Sequence, residues 1–253
     1  METVIPKTSA VLSSLLRADF TTQWRNRRAV ILTLIVPAII VMTWKPIADK
    51  VGGAFVLSNA ITIGLFASGL MGYANTVARD RDKGIFQRLR VAPIPSWTII
   101  GSRLLVQLVM IIFITTVVFI LGKNFDNISL SPAAYVITYF TAMVGGAVSL
   151  SLGQMVVGFI KNPETVNSTT RLVYIAFIVT GIFGEMYMAL NKVDKILAYA
   201  VQYSPYGTVK TILSTGMEPS KWNLGTTTAL LVTIGYTIIF TFMGIKWFKW
   251  NTK

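Results

Sequence analysis

The sequence predicts an all-α polytopic membrane protein. Six transmembrane helices are expected, with an interfacial helix ahead of them and two short outer helices, re-entrant or interfacial, before the last span. Three observations carry this. First, 53% of the 253 residues are hydrophobic and only 13% are charged, and soluble domains carry roughly twice that charged share. Second, apolar runs close to the roughly 20 residues that cross a hydrocarbon core recur along the chain. Third, the basic residues collect between those runs, and far more on alternate connections than on the others.

The elements follow in order. In 8–28, Val11, Leu12, Leu15, Leu16, Phe20 and Trp24 recur at three- and four-residue spacing and line one helix face. Arg17, Arg25, Arg27 and Arg28 supply charge, so this helix is expected in the membrane interface with Trp24 at headgroup depth. No cleavable signal pattern is evident in it. The first span is 29–44, bent at Pro37. A loop through Gly52 and Gly53 leads to the second span, 54–77, whose small residues Ala60, Gly64, Ala67, Ser68 and Gly72 permit close packing. The third span is 104–122, followed by a polar turn at 123–132 and a long fourth span at 133–160. A short loop, 161–171, precedes the fifth span, 172–190. The segment 191–225 is half polar. Residues Ile196 to Tyr203 and Val209 to Leu213 read as two short helices, broken at Ser204-Pro205, and neither is long enough to cross. The sixth span is 226–247. The whole of 1–253 is expected to form a single transmembrane domain.

With the N-terminus inside, the inner segments are 1–28, 78–103, 161–171 and 246–253. They hold all ten arginines and six of the thirteen lysines, whereas the outer segments hold seven lysines. The positive-inside rule then places both termini in the cytoplasm of a cell membrane. The net charge of +13 is split among these short loops. It fits an anionic membrane surface, so lipids are expected partners and nucleic acid is not.

Several chemistries are excluded or unsupported. The chain has no cysteine and no histidine, which removes thiol chemistry, the commonest general base and the commonest metal ligand. No P-loop is present. No catalytic residue or metal site is expected. Of the ten acidic residues only Glu185 falls within an expected span, near its outer end. It reads either as a substrate or gating contact or as a carboxylate reaching the outer interface. An ion-coupled secondary carrier is the alternative function class, and it would require more ion-binding groups at mid-membrane.

The densest charge lies in 78–103. Asp80, Arg81, Asp82 and Lys83 alternate in sign, and Gly84 breaks the run. Ile85, Phe86 and Leu89 are apolar at helical spacing, Arg88 and Arg90 lie on another face, and Pro93 and Pro95 force a turn. Two readings stand on these residues alone. One is a short amphipathic helix that docks in a groove of a soluble protein; the other is a solvated basic loop that only sets topology.

The segment resembles the signature of the type-2 exporter family of ABC transporter permeases. The matching positions are Asp80-Arg81-Asp82-Lys83-Gly84, Ile85-Phe86, Arg88-Leu89, Pro93, Gly101 and Arg103. The interfacial N-terminal helix, six spans, two short outer helices and the Ser204-Pro205 turn fit the same family. One departure is Gly181 to Met186, which lacks the proline that family often has there. The resemblance implies a half-transporter that pairs with a second copy of itself or a close homologue. Two ATPase subunits would lie beneath and would hold ATP and Mg, leaving no cofactor in this chain. The segment 78–103 would be the coupling loop, with docking contacts from Asp80 to Phe86, Arg88, Leu89 and Pro93. The helix 8–28 would be the connecting helix. Asn59, Thr62, Phe66, Asn75, Tyr174, Phe177 and Thr180 are expected to line the pathway or dimer seam, and Glu185 and Pro205 the outer gate. An amphipathic drug, lipid or peptide would be the exported substrate, with multidrug efflux as one form.

Overall fold

The computed structural model describes residues 8–25, 27–91, 96–189 and 195–248. Helices α1 (Thr8–Arg25), α2 (Arg27–Thr43), α3 (Lys45–Val51) and α4 (Gly53–Phe66) open the chain. A π-helical segment, Ala67–Tyr73, joins α4 to α5 (Ala74–Asp82). Then come α6 (Ile85–Val91), α7 (Ser96–Asp126), α8 (Pro132–Phe159), α9 (Pro163–Ala189), α10 (Lys195–Gln202), α11 (Pro205–Met217), one 3₁₀ turn (Pro219–Lys221) and α12 (Leu224–Lys246). No strand occurs among the described residues.

Among the described residues, four helices are long and apolar enough to cross a membrane: Gly53–Asp82, Gly101–Asp126, Pro132–Phe159 and Leu224–Lys246. These are the second, third, fourth and sixth expected spans. The first expected span is the shorter apolar stretch Thr33–Thr43 at the end of α2, with Pro37 inside the helix. The fifth lies in α9, which has 27 residues but starts with the polar run Pro163 to Arg171.

Two connections differ from expectation. The loop after the first span is the helix α3, with Pro46 at its start, because a proline in the first turn costs no hydrogen bond. The helix containing the third span begins at Ser96 rather than Leu104. Apolarity marks where a helix can meet lipid; it does not mark where the helix ends, and nothing in 96–103 breaks one.

Helix ends obey local chemistry. Ser131 caps α8 by accepting the Ala134 amide at 3.2 Å, with Pro132 in the first turn. Ser204 caps α11 by accepting the Gly207 amide at 3.0 Å, and Asn223 caps α12 by accepting that of Thr226 at 2.9 Å.

The continuous helix Gly53–Asp82 is the centre of the molecule. Of its most apolar window, 94% is buried within the chain, against 17% for Leu224–Lys246. α2, α7, α8 and α11 pack around it. Close approach on α8 needs small residues: a Cβ added at Gly153 would come within 2.5 Å of the Gly69 carbonyl oxygen. α11 is packed among α4, α8 and α12, with Tyr206, Val209, Ile212 and Leu213 buried.

Candidate functional site

The densest charged cluster forms where α5 turns into α6, at the basic end of the central helix. α5 closes with the Lys83 amide bonded to the Arg79 carbonyl at 3.0 Å and the Gly84 amide to that of Arg81 at 3.0 Å. Gly84 has φ +67°, a left-handed conformation that costs a residue with a Cβ roughly 1–2 kcal/mol. The chain reverses there into α6.

Ionic and aromatic contacts hold this elbow. Arg103 of α7 pairs with Asp80, and its guanidinium lies 4.7 Å from the centre of the Phe86 ring. Phe86 meets Phe248 edge to face at 6.0 Å. The Arg81 guanidinium lies 5.6 Å from the Phe248 ring. A closed circuit of Asp80, Arg103, Phe86, Phe248 and Arg81 therefore joins α5, α6, α7 and the segment after α12. Arg81 also donates to the carbonyls of Val157 at 2.8 Å, Ile160 at 2.6 Å and Lys161 at 2.8 Å. These close the C-terminal end of α8, where a cation complements the helix dipole.

A second bond ties α1 to the same level. Ser102 donates to Asp19 at 2.6 Å, one residue from Arg103. Burial raises the Asp19 carboxyl above its ordinary value of 3.8, against the opposing pull of the Ser102 bond and Arg103.

The expected docking residues divide by position. Asp82, Lys83 and Arg88 are exposed. Gly84, Ile85 and Phe86 are half-buried. Arg81, expected as a docking contact, is 1% exposed, and its two terminal nitrogens donate to the open carbonyls of α8. Asp80 turns inward to Arg103. Leu89 lies on α6 with its side chain outside the described residues, and Pro93 lies outside them altogether.

The expected seam residues also divide by position. Asn59, Thr62, Phe66, Asn75 and Tyr174 are buried within the one chain, since the central helix is enclosed by its own neighbours. Asn59 accepts from the Tyr206 hydroxyl at 3.0 Å, and Thr62 donates to the Ser58 carbonyl at 2.7 Å. Phe66 meets Phe177 edge to face at 5.4 Å and Tyr206 at 5.9 Å. The Asn75 amide donates to Asn167 at 3.4 Å. Phe177 is half-buried and Thr180 exposed. Pro205 is half-buried in the first turn of α11, and the side chain of Glu185 lies outside the described residues.

Two polar pairs of the interior escaped the sequence reading. Ser68, in the π segment, lies 3.4 Å from Gln107, and the Tyr73 hydroxyl donates to Gln154 at 2.9 Å. Partners 39 and 81 residues apart leave no local signal. A π segment is itself frequent at functional positions in helices.

These features define a class: a helical, multi-pass membrane protein whose central helix ends in a braced, charged elbow at its basic face. The model of the family described as "ABC-2 type transporter" matches residues 10–207, and the chain belongs to that family. It is also similar to "Putative transport permease YvfS" of Bacillus subtilis (strain 168), with 21% identity over 225 residues, covering 85% of this chain and 88% of that protein. The protein is thus the membrane component of an ABC transporter, a transport subunit rather than an enzyme. Permeases of this family normally work with ATPase subunits.

Proposed function

We propose that this chain is one half of an ATP-driven exporter of the cell membrane. Two copies, or one copy and a close homologue, form the pathway, and two ATPase subunits carrying ATP and Mg sit at the cytoplasmic face. Both termini lie on that face, in keeping with the bias of arginine and lysine. The cargo is an amphipathic drug, lipid or peptide, because the lipid-facing helices and the short outer connections offer apolar surface rather than a large polar domain.

The observation that carries the reading is the braced elbow. Asp82, Lys83 and Arg88 point outward, while Asp80, Arg81 and Phe86 bind the elbow to α7, α8 and the C-terminal segment. A push on the exposed side moves several helices together. ATP binding then acts by making different contacts with this elbow in two conformations, since only differential contact shifts an equilibrium. α1, held at Ser102, is the second surface that the ATPase touches.

The test is co-purification with the product of the adjacent ATPase gene, followed by an ATPase assay in lipid. A two-plus-two complex with turnover supports the assignment. Charge reversal at Arg88 should leave the complex in the membrane but abolish transport-coupled hydrolysis. Normal coupling in that variant, or a permease that recruits no ATPase, would remove the elbow from the mechanism.

A further inference from the structure

A groove of about 360 Å³ runs between α1 and α7, lined by Phe20, Thr21, Trp24, Arg25, Val109, Met110 and Phe113. Its surfaces are almost wholly apolar. Met110 is buried beneath it, and Trp24, Phe20, Val109 and Phe113 remain partly open at 50%, 43%, 47% and 37%. Trp24 stacks on Phe20 at 6.3 Å and meets Phe113 edge to face at 6.1 Å, which gives the groove fixed aromatic walls. A slot of this size accepts an extended hydrocarbon chain and is too small for a helix.

The rim is cationic. Arg25 borders the groove, Arg17 lies two turns before it on α1, and Arg27 opens α2 two residues after it. All three are exposed, and none forms an ion pair among the described residues. The acid of α1, Asp19, is occupied by Ser102. An apolar slot with a free cationic rim is complementary to one ligand chemistry: a hydrocarbon tail with a negative head.

We propose that the α1–α7 groove is a binding site for one anionic phospholipid, its acyl chain along Trp24 and Phe113 and its phosphate at Arg25, with Arg17 and Arg27 adding to the field. The occupant bridges the N-terminal helix and α7. The bridge lies beside the Asp19 and Ser102 bond, so it reinforces the contact that ties α1 to the charged cluster. The site does not depend on which ATPase or cargo the transporter uses.

Trp24 provides the probe. The full chain and its Trp24→Phe variant are compared in micelles that carry phosphatidylglycerol or phosphatidylcholine with brominated acyl chains, and the difference between the two proteins reports quenching at Trp24. The expected result is half-maximal quenching at a several-fold lower fraction of brominated phosphatidylglycerol than of brominated phosphatidylcholine. Arg25→Gln should reduce that preference about fivefold, as loss of roughly 1 kcal/mol of attraction per arginine implies. Arg25→Lys should retain most of it and shows that the Gln variant is not simply misfolded. Val109→Phe, which fills the slot without adding a further tryptophan, should weaken quenching by both lipids. Equal quenching by the two headgroups would reduce the groove to ordinary lipid contact and overturn the proposal. A preference that survives Arg25→Gln together with Arg27→Gln would place the headgroup elsewhere and overturn it too.

Discussion

Arg81 spends its guanidinium on the three carbonyls that α8 leaves open near Val157, Ile160 and Lys161. Alanine there would leave those acceptors unpaired in a buried place and open a cavity against Phe248. We expect Arg81→Ala to cost about 3 kcal/mol, read as a lower melting temperature of the purified protein. Arg81→Lys should fall between, since one ammonium cannot reach three carbonyls as a planar fork does. Asp19 offers a test with a sign. Its carboxyl is raised by burial, so the folded state favours the protonated form. Stability from this group is therefore greatest below 3.8 and is lost as pH rises from there through the raised value. Asp19→Asn cannot ionise and still accepts from Ser102. Its melting temperature should match that of the parent at the acid end, gain on it through that window, and hold a constant lead above it. A constant difference at all pH values would show that Asp19 does not titrate against the fold. At this scale the sequence was a partial guide. The charge alternation of Asp80 to Lys83 marked the cluster, but an alternating run does not say which members face inward. The sequence marks Arg81 as a docking residue, and in the fold it donates to main-chain carbonyls about 80 residues away, which no side-chain pattern encodes.

Between elements, backbone contact at small residues decides how closely helices approach. The π segment of the central helix meets α8 where Gly69 and Gly153 face each other. A Cβ at Gly69 would lie 2.3 Å from the Ser149 hydroxyl oxygen and 2.7 Å from the Ser149 carbonyl carbon. Gly69→Val should therefore push the two helices apart and cost about 1–3 kcal/mol, checked by thermal aggregation of the detergent-solubilised protein. At Gly84 the constraint is different. The nearest atom to an added Cβ there is Gln87 Oε1 at 3.5 Å, so space is adequate and the cost comes from φ alone. Gly84→Val should lower stability by roughly 1–2 kcal/mol and loosen the reversal between α5 and α6. Under the exporter reading it should depress ATPase stimulation far more than assembly, measured as turnover per assembled complex. The element pattern was largely legible. Apolar runs located the four long spans, and the break read at Ser204-Pro205 is where α11 begins. The helicity of α3 and of 96–103 was missed because polar helix and polar loop share a composition. The π segment was missed because one extra residue in a turn does not disturb an apolar run.

For the whole molecule, the central helix is already enclosed by its own chain, so a second copy has to meet a peripheral element. Among the described residues, α2, α7, α9 and α12 all expose apolar faces. α9 exposes Leu172, Ile175 and Val179 at 69%, 49% and 46%, in line with Thr180. α12 exposes Leu231, Ile238 and Phe242. Spacing of three, four and seven residues makes each a continuous stripe, and an isolated chain cannot distinguish a stripe for lipid from one for a partner. The proposed dimer uses α9. This helix carries two of the residues expected at the seam, Phe177 and Thr180, at or beside its open face. The sequence could locate the helix but not the face, because its apolar and small residues surround it on more than one side. The absence of cysteine makes the question direct, since a single introduced thiol has no partner within its own chain and a band at twice the chain's mass reports a second copy. Val179→Cys should give a dimer band when native membranes are oxidised, Ile238→Cys on α12 should stay monomeric, and Phe66→Cys, enclosed in the interior, should do so as well. A dimer from Ile238→Cys and none from Val179→Cys would move the partner to α12 and leave α9 to lipid.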